Sequence, residues 1–302
     1  MKPGRVCTVG GSGVGLSFRV PRSALVGETL VSEHLSYVNG GKAANQAIGA
    51  VKLGSTSCII TAIGSDPMGD LATATLRDHG VDVAGVVIDL DAATMLGVLM
   101  IEPSGENSIV IAPGALSAMS AATVDSRAEL IRSSDVCLVS LEIPVSAAAQ
   151  ALNVARASGV LAILNPAPAT EPAAISKLLP LCDVVTPNET EAHFLTGETQ
   201  PELQAAAMLE LGAHAVVITL GSRGALIQSR GGQAVMVPAE PVPVVDTSGA
   251  GDAFNAALAV ALIRGLDLSE AAHFGCRAAA LIVQAPAFVE ALHMWDGLEV
   301  VS

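Results

Sequence analysis

A glycine-rich segment near the end of the chain combines residue types suited to phosphoryl transfer. It reads Asp-Thr-Ser-Gly-Ala-Gly-Asp over Asp246–Asp252 and leads into the apolar stretch Ala253–Arg264, which predicts a helix. The small residues at Gly249–Gly251 leave backbone N–H groups open to an anion, and the helix dipole adds favourable potential there. In the first helical turn, the Asp252 carboxylate could accept the proton of a hydroxyl that attacks a phosphoryl group. The segment indicates an anion site beside a general base.

A simpler interpretation stays open on residue types alone. Asp246 and Asp252 could cap a helix whose glycines only form a turn. Two other glycine-rich nucleotide motifs fit less well. The run Gly10–Gly15 is followed by Leu16, where a dinucleotide-binding motif needs its third glycine, and the segment after Lys42 lacks the hydroxyl residue with which a P-loop binds magnesium.

Polar residues also follow several predicted strands. Glu142 ends one such strand, where it could bind a ligand or serve as a loop or cap residue. Asn188 and Glu191 lie three residues apart at the start of a predicted helix and hence on one face. The same pair could equally form a capping box.

Together, these segments resemble the signatures of the ribokinase-like, or PfkB-type, sugar kinases. The string Asp-Thr-x-Gly-Ala-Gly-Asp resembles the family's C-terminal signature, and Gly-Gly-Lys-Ala-Ala-Asn within Asn39–Ala47 resembles its N-terminal glycine signature. Four more segments follow in the family's order and spacing: Leu141–Pro144, Leu164–Ala169, Thr186–Glu191 and Ile218–Gly224. The resemblance therefore extends over most of the chain.

The resemblance implies a role for each segment. Its catalytic residues would be the base Asp252 and an anion hole of Gly249, Ala250 and Gly251. For the sugar it implies Gly40, Gly41, Lys42, Asn45 and Glu142, and for ATP it implies Asn188, Thr219, Gly221, Ser222, Gly224 and Cys276. It also implies a magnesium ion held by Glu191 through water and a monovalent cation, potassium, beside Asp246 and Ser248.

The activity implied is ATP-dependent phosphorylation of a primary hydroxyl of a small sugar, with ribose as the first candidate. Two departures from the family pattern bear on this. Val14 and Leu16 stand where we expect polar sugar contacts, which leaves open another sugar, a deoxy sugar, a nucleoside, or a catalytically weak sugar-sensing homologue. Ala287 and Ala291 occupy positions expected to help hold the monovalent ion, so the potassium requirement is also left open.

The elements that must position these residues follow a βα rhythm. Short runs rich in Val and Ile predict buried strands at Arg5–Val9, Ser57–Ile63, Val136–Leu141, Val160–Leu164, Val184–Thr186 and Ala215–Leu220. Helices are predicted between them, with an N-cap at Asp66 before Pro67 and closing glycines at Gly54, Gly80 and Gly159. We therefore expect one α/β domain over residues 1–302, with a doubly wound, mostly parallel central sheet flanked by helices and ligands at the carboxyl ends of the strands.

Two stretches break that rhythm and predict a small β-stranded lid. Leu16–Val38 and Met95–Ile111 alternate apolar and polar residues, and Pro103–Glu106 has turn chemistry. We expect extra antiparallel strands inserted at about 16–38 and 95–111. Their apolar segments Val98–Ile101 and Ile109–Ile111 could pair edge to edge in a homodimer.

Composition narrows the partners further. The formal net charge is -14, with 15 Lys and Arg against 29 Asp and Glu, so nucleic acid and anionic membranes are poor partners. No apolar run is long enough to predict a membrane span. Five widely spaced cysteines predict free thiols, and hence a cytoplasmic protein. A phosphate site in such an acidic chain must depend on backbone N–H groups, helix N-termini and metal ions.

Overall fold

The structure is a computed structural model that describes residues 4–32, 34–102 and 107–300. The turn predicted at Pro103–Glu106 lies outside the described residues. The strands are β1 Arg5–Val9, β2 Gly13–Arg19, β3 His34–Gly40, β4 Thr56–Gly64, β5 Asp82–Asp89, β6 Met95–Ile101, β7 Asn107–Ala112, β8 Val136–Ser140, β9 Leu161–Asn165, β10 Val184–Val185, β11 Ala215–Thr219, β12 Ala225–Ser229 and β13 Val235–Val237. All six strands predicted from sequence are present, with every end within one residue.

Nine of these strands form the main sheet, in the order β13-β12-β11-β10-β9-β8-β1-β4-β5. Every neighbouring pair from β5 to β11 is parallel, and β12 and β13 add an antiparallel edge. The chain moves outward from β1 first toward β5 and later toward β13, so the strand order reverses between β1 and β8. A crevice for ligands is expected at the carboxyl ends of the strands at such a reversal.

Helices cover both faces of this sheet. They are α1 Lys42–Lys52, α2 Pro67–Asp78, α3 Ala121–Asp125, α4 Ala128–Arg132, α5 Val145–Ala157, α6 Pro172–Ile175, α7 Glu189–Thr196, α8 Pro201–Glu210, α9 Ala250–Ile263, α10 Leu268–Ile282 and α11 Phe288–Ala291. Successive residues of β1 alternate between the two cores, so Cys7 packs into one and Val6 into the other. Cys7 is paired in register with both Cys58 and Cys137, and all three thiols are fully buried. The prediction of a doubly covered, mostly parallel sheet is confirmed.

The predicted helix signals are present in the structure. Asp66 caps α2 by accepting the N–H of Gly69 at 2.8 Å, and Gly80 follows the helix with φ +77°. The second oxygen of Asp66 accepts the N–H of Thr94 at 2.7 Å, just before β6. One carboxylate therefore fixes a helix start and the base of a lid strand together. No described helix is both long enough and apolar enough to cross a bilayer.

The lid is a four-stranded sheet in the order β3-β2-β6-β7. Its outer pairs are antiparallel, as predicted, whereas β2 and β6 are parallel. Both central strands leave the carboxyl ends of parallel strands of the main sheet, β1 and β5, so they run in the same direction. The lid begins earlier than predicted, at Gly13. Since β6 is paired on both sides, edge pairing through Val98–Ile101 is wrong, while Ile109–Ile111 does lie on the edge strand β7.

Gly41, the N-cap of α1, connects the lid to the main body at a point where the backbone of Gly11 leaves no room for a side chain. Its φ is +97°, and an added Cβ would lie 2.3 Å from the carbonyl oxygen of Gly11. Gly159 also has positive φ, +69°, but its Cβ would meet nothing within 4 Å. We expect Gly159→Ala to cost about 1 kcal/mol of unfolding free energy from backbone strain alone, and Gly41→Ala to cost about 3 kcal/mol or more. Urea denaturation of both variants measures the difference, and equal losses would contradict the close approach.

Candidate active site

Three neighbouring cavities form one groove along the carboxyl ends of the main-sheet strands. A cavity of about 610 Å³ lies under the lid, a polar chamber of about 180 Å³ follows, and an apolar cleft of about 440 Å³ ends the groove. Lys42, Gly249 and Asp252 line both of the first two. Thr219 and Gly251 line both the chamber and the cleft. Asp252 therefore stands where the lid cavity meets the polar chamber.

Asp252 lies in the first turn of α9 and is buried, with 6% of its surface exposed. Two amides of α1 donate to its carboxylate, Asn45 Nδ2 at 2.9 Å and Gln46 Nε2 at 3.2 Å. Burial raises the pKa of Asp252, against the opposing effects of the Lys42 charge and these two hydrogen bonds. The donors can hold the carboxylate in its ionised, proton-accepting form.

Lys42 and Glu142 form the charged floor of the lid cavity. The backbone N–H of Lys42 donates to Glu142 Oε2 at 2.6 Å. Burial alone would lower the pKa of Lys42, but the carboxylates of Asp252, Glu142 and Glu191 raise it above its ordinary value. Burial raises the pKa of Glu142 to about 7, although Lys42 opposes the shift. Lys42 thus balances several acidic side chains that converge from three elements.

All five predicted sugar residues line the lid cavity: Gly40, Gly41, Lys42, Asn45 and Glu142. The prediction for the strand after β1 needs a correction. Val14 lines the cavity, but Leu16 does not, and Gly15 does instead. Because side chains alternate along β2, the residues that face the cavity with Gly15 are Ser17 and Arg19.

The nucleotide residues predicted from sequence divide between the other two cavities. Asn188, Glu191 and Thr219 line the polar chamber. Asn188 and Glu191 form the capping box of α7, with reciprocal backbone-to-side-chain bonds of 2.8 and 2.9 Å. Burial raises the pKa of Glu191, so a nearby cation would be stabilising. Thr219, Gly221, Ser222, Gly224 and Cys276 line the apolar cleft.

The turn before α9 offers backbone donors to the groove. Gly249 has φ +80°, and a Cβ on Gly251 would meet nothing within 4 Å. The Ala250 N–H donates to the Thr247 carbonyl at 3.2 Å, whereas no acceptor in the described chain reaches the N–H of Gly249 or Gly251. The two glycine N–H groups are therefore the freer donors for an anion at this helix terminus.

The carboxylate of Asp246, just before this segment, accepts two backbone N–H groups. Its Oδ1 accepts the N–H of Ser248 at 2.8 Å, and its Oδ2 accepts the N–H of Ala287 at 3.4 Å. Ala287 has φ +55°, the one positive φ among the described residues other than glycine. Asp246 and Ser248 line the lid cavity, together with Ala287.

Several polar residues of the site were not predicted. Gln46 contacts Asp252 directly, and Asn165, Thr186 and Asn255 line the polar chamber. Three of the four could have been predicted from their positions. Asn165 and Thr186 lie at the carboxyl ends of β9 and β10, and Asn255 is one helical turn after Gly251. Nothing in the sequence distinguishes Gln46 from a surface glutamine, apart from its place next to Asn45.

Comparisons with known proteins agree with this architecture. The family model described as pfkB family carbohydrate kinase matches residues 5–293. A ribokinase of Haemophilus influenzae is 37% identical over 269 residues, which cover 87% of each chain. A deoxyribokinase of Salmonella typhi is 33% identical over 250 residues, 81% of each. The structure of Arabidopsis thaliana ribokinase complexed with ribose and ATP is similar with a TM-score of 0.89, at 31% identity and over 100% of both chains.

The raised pKa of Glu142 makes stability depend on pH. With a folded-state pKa of about 7 against an ordinary 4.5, Glu142 is more protonated folded than unfolded, so its ionisation destabilises the fold progressively from about pH 4.5 to 7. Gln in its place keeps an acceptor for the Lys42 N–H and removes that penalty. We expect Glu142→Gln to gain about 2 kcal/mol relative to wild type between pH 5 and pH 8, as measured by urea denaturation. If the unfolding free energies of wild type and Glu142→Gln changed in parallel with pH, the raised pKa of Glu142 would be contradicted.

Proposed function

The chain belongs to the pfkB family of carbohydrate kinases, and from that premise we propose that it transfers the γ-phosphoryl group of ATP to the primary hydroxyl of ribose. The observation that carries the proposal is the position of Asp252. Its buried carboxylate lies between the lid cavity, which suits a sugar, and the polar chamber, which suits phosphates. A ribokinase relative binds ribose and ATP together, and its fold covers the whole of this chain.

In the proposed reaction, Asp252 accepts the proton of the sugar hydroxyl as the hydroxyl oxygen bonds to the γ-phosphorus, and the bond from the γ-phosphorus to the β,γ-bridging oxygen breaks to release ADP. Lys42, which lines both cavities, neutralises negative charge on the transferred group. The N–H groups of Gly249 and Gly251 bind phosphate oxygens at the positive end of α9. Glu142, Asn45 and the Gly40–Gly41 backbone hold the remaining hydroxyls, so catalysis consists of positioning and charge stabilisation.

A magnesium ion fits the polar chamber. Glu191 supplies a partly buried carboxylate there, Asp252 supplies a second one, and several amide and hydroxyl residues line the same chamber, which suits an ion that keeps several waters. We propose that Glu191 holds magnesium through water. Bound there, the ion would neutralise charge on the phosphates of ATP.

The residues near Asp246 fit a monovalent cation less well. Both carboxylate oxygens already accept backbone N–H groups, and Ala287 and Ala291 have no side-chain oxygen. Ser248 and backbone carbonyls are the remaining oxygen ligands, too few for a well-formed potassium site.

A second acceptor, 2-deoxyribose, is favoured by the lid. Val14 and Gly15 of β2 line the lid cavity without a polar side-chain group, so this end of the strand offers no side-chain partner to a sugar hydroxyl. A binding site loses little when a hydroxyl it does not contact is removed from the ligand. The deoxyribokinase relative is consistent with this second candidate.

We further propose a cytoplasmic homodimer. All five cysteines are buried free thiols, which suits a reducing compartment.

The edge strand β7 could form the dimer contact. It exposes Ile109, Val110 and Ile111, with 49 to 65% of the surface of each residue accessible. A second copy of the lid could cover this edge.

Asp252→Asn tests the mechanism, in an assay of ADP release with Mg-ATP and a panel of pentoses, deoxypentoses, hexoses and nucleosides. We expect turnover to fall roughly 10²- to 10⁴-fold because the amide cannot accept the hydroxyl proton. ATP affinity should stay within a few-fold, since the anion site is unchanged. Asp78→Asn, which removes an exposed charge at the end of α2, is the matched control.

Two results would count against the proposal. Wild-type protein that releases no ADP above background with any acceptor would favour a sugar-sensing homologue. Near-normal turnover of Asp252→Asn, with the control unchanged, would exclude Asp252 as the base while leaving the kinase activity itself in place.

A further inference from the structure

We propose that Gln46 is a positioning residue of the proposed kinase reaction: its side-chain amide is fixed as a donor to Asp252 and holds the base oriented toward the acceptor hydroxyl. The inference rests on the proposed function. Gln46 is fully buried and lines none of the three cavities, so it acts through Asp252 and not on a substrate. Asn45, its neighbour in sequence, does line the lid cavity.

The contacts of Gln46 form a short chain across the main sheet. Its Nε2 donates to Asp252 Oδ1 at 3.2 Å and to Asn165 Oδ1, also at 3.2 Å. The Asn165 amide in turn donates from Nδ2 to the backbone carbonyl of Thr186 at 3.0 Å. Helix α1, strand β9 and the end of β10 are therefore connected to the base on α9 by side-chain amides.

This chain has a defined direction. A backbone carbonyl can only accept, so the Thr186 carbonyl requires the NH₂ group of Asn165 to face it. The oxygen of Asn165 then faces Gln46, which requires the NH₂ group of Gln46 at that position. The same nitrogen is the one that reaches Asp252, so Gln46 can only donate to the base. A donor favours the ionised carboxylate, which is the form that accepts a proton.

The other partners of Asp252 are less strictly fixed. Asn45 donates to Asp252 Oδ2, but its own oxygen pairs with the amide of Asn39, and no carbonyl sets the orientation of that pair. The charge of Lys42 interacts with three carboxylates, those of Asp252, Glu142 and Glu191. Gln46 is thus the partner whose orientation the fold determines independently of the substrate.

A second branch joins the same network to the anion site. The Thr186 hydroxyl donates to Asn255 Oδ1 at 2.6 Å, and Asn255 Nδ2 donates to the carbonyl of Gly251 at 2.8 Å. Thr186 therefore anchors both the side chain of the base and the peptide next to the glycine N–H donors. The base and the anion site are held in one frame.

The charges around Asp252 determine how removal of the Gln46 hydrogen bond would change the pKa of the base. The charged groups around it are Lys42 on α1, Glu142 after β8 and Glu191 on α7. Burial raises the pKa of Asp252, and the Gln46 bond lowers it. Removing that bond raises the pKa of the base, so activity on the acidic side should be lost at higher pH than in wild type.

Gln46→Met tests the inference because methionine has similar length and no donor. We expect kcat to fall roughly 10- to 100-fold, KM for ATP to stay within about threefold, and the acidic limb of the kcat/KM profile to move to higher pH. The matched control is Gln204→Met on α8. Gln204 is also buried, also bridges two oxygens through Nε2, at 3.0 and 3.3 Å, and also has an Oε1 without a partner in the described chain.

A purely structural role for Gln46 predicts a different result. Gln46→Met would then lower the melting temperature as Gln204→Met does, while kcat per folded molecule and the pH profile stay at wild-type values, and the inference would be overturned. If Gln46→Met does not fold, Asn165→Ser decides the question, because it frees the Gln46 amide to rotate and should move the acidic limb in the same direction. Wild-type protein inactive on every acceptor would defeat the proposed function instead.

Discussion

A carboxylate withdrawn from water must be surrounded by donors and cations, and the architecture around Asp252 follows from that requirement. Helix α9 places the acid in its first turn, and α1 places Lys42, Asn45 and Gln46, spaced i, i+3 and i+4 within about one helical turn, toward it. Both helices pack on the same side of the main sheet. The carboxyl ends of the strands complete the surroundings, since β9 supplies the amide that orients Gln46.

The polarity of the groove follows from the acidic composition of the chain. Among the residues that line the polar chamber and the apolar cleft, Lys42 is the one cationic side chain. Apart from Lys42, a polyphosphate placed there would depend on the N-terminus of α9 and on a metal ion held near Glu191 for positive charge. The lid cavity differs, because Arg19 of β2 lines it as well as Lys42.

The sequence predicted the parallel strands and the helix ends well because both have local causes. Continuous runs of Val and Ile mark strands that are covered on both faces, and glycines mark the helix ends. Strands β5, β12 and β13 were missed because they lie toward the sheet edges, where partial exposure mixes polar residues into the pattern. Every residue predicted for the site lines one of the three cavities, including Glu142, Asn188 and Glu191, which come from segments without glycine. The side of β2 on which Leu16 lies depends on strand register, and the contact between Gln46 and Asp252 depends on long-range packing. Neither can be read from the local sequence.

A row of three buried thiols on β8, β1 and β4 of the main sheet offers a way to measure local opening of the fold. Cys58, Cys7 and Cys137 stand side by side on neighbouring strands, and none is exposed. An alkylating reagent can reach them only in molecules in which this part of the sheet and its covering helices have opened, so the labelling rate reports how often they open. Ligands that join α1 to α9 across the groove stabilise the closed sheet by mass action, and they would slow the labelling in proportion to their affinity.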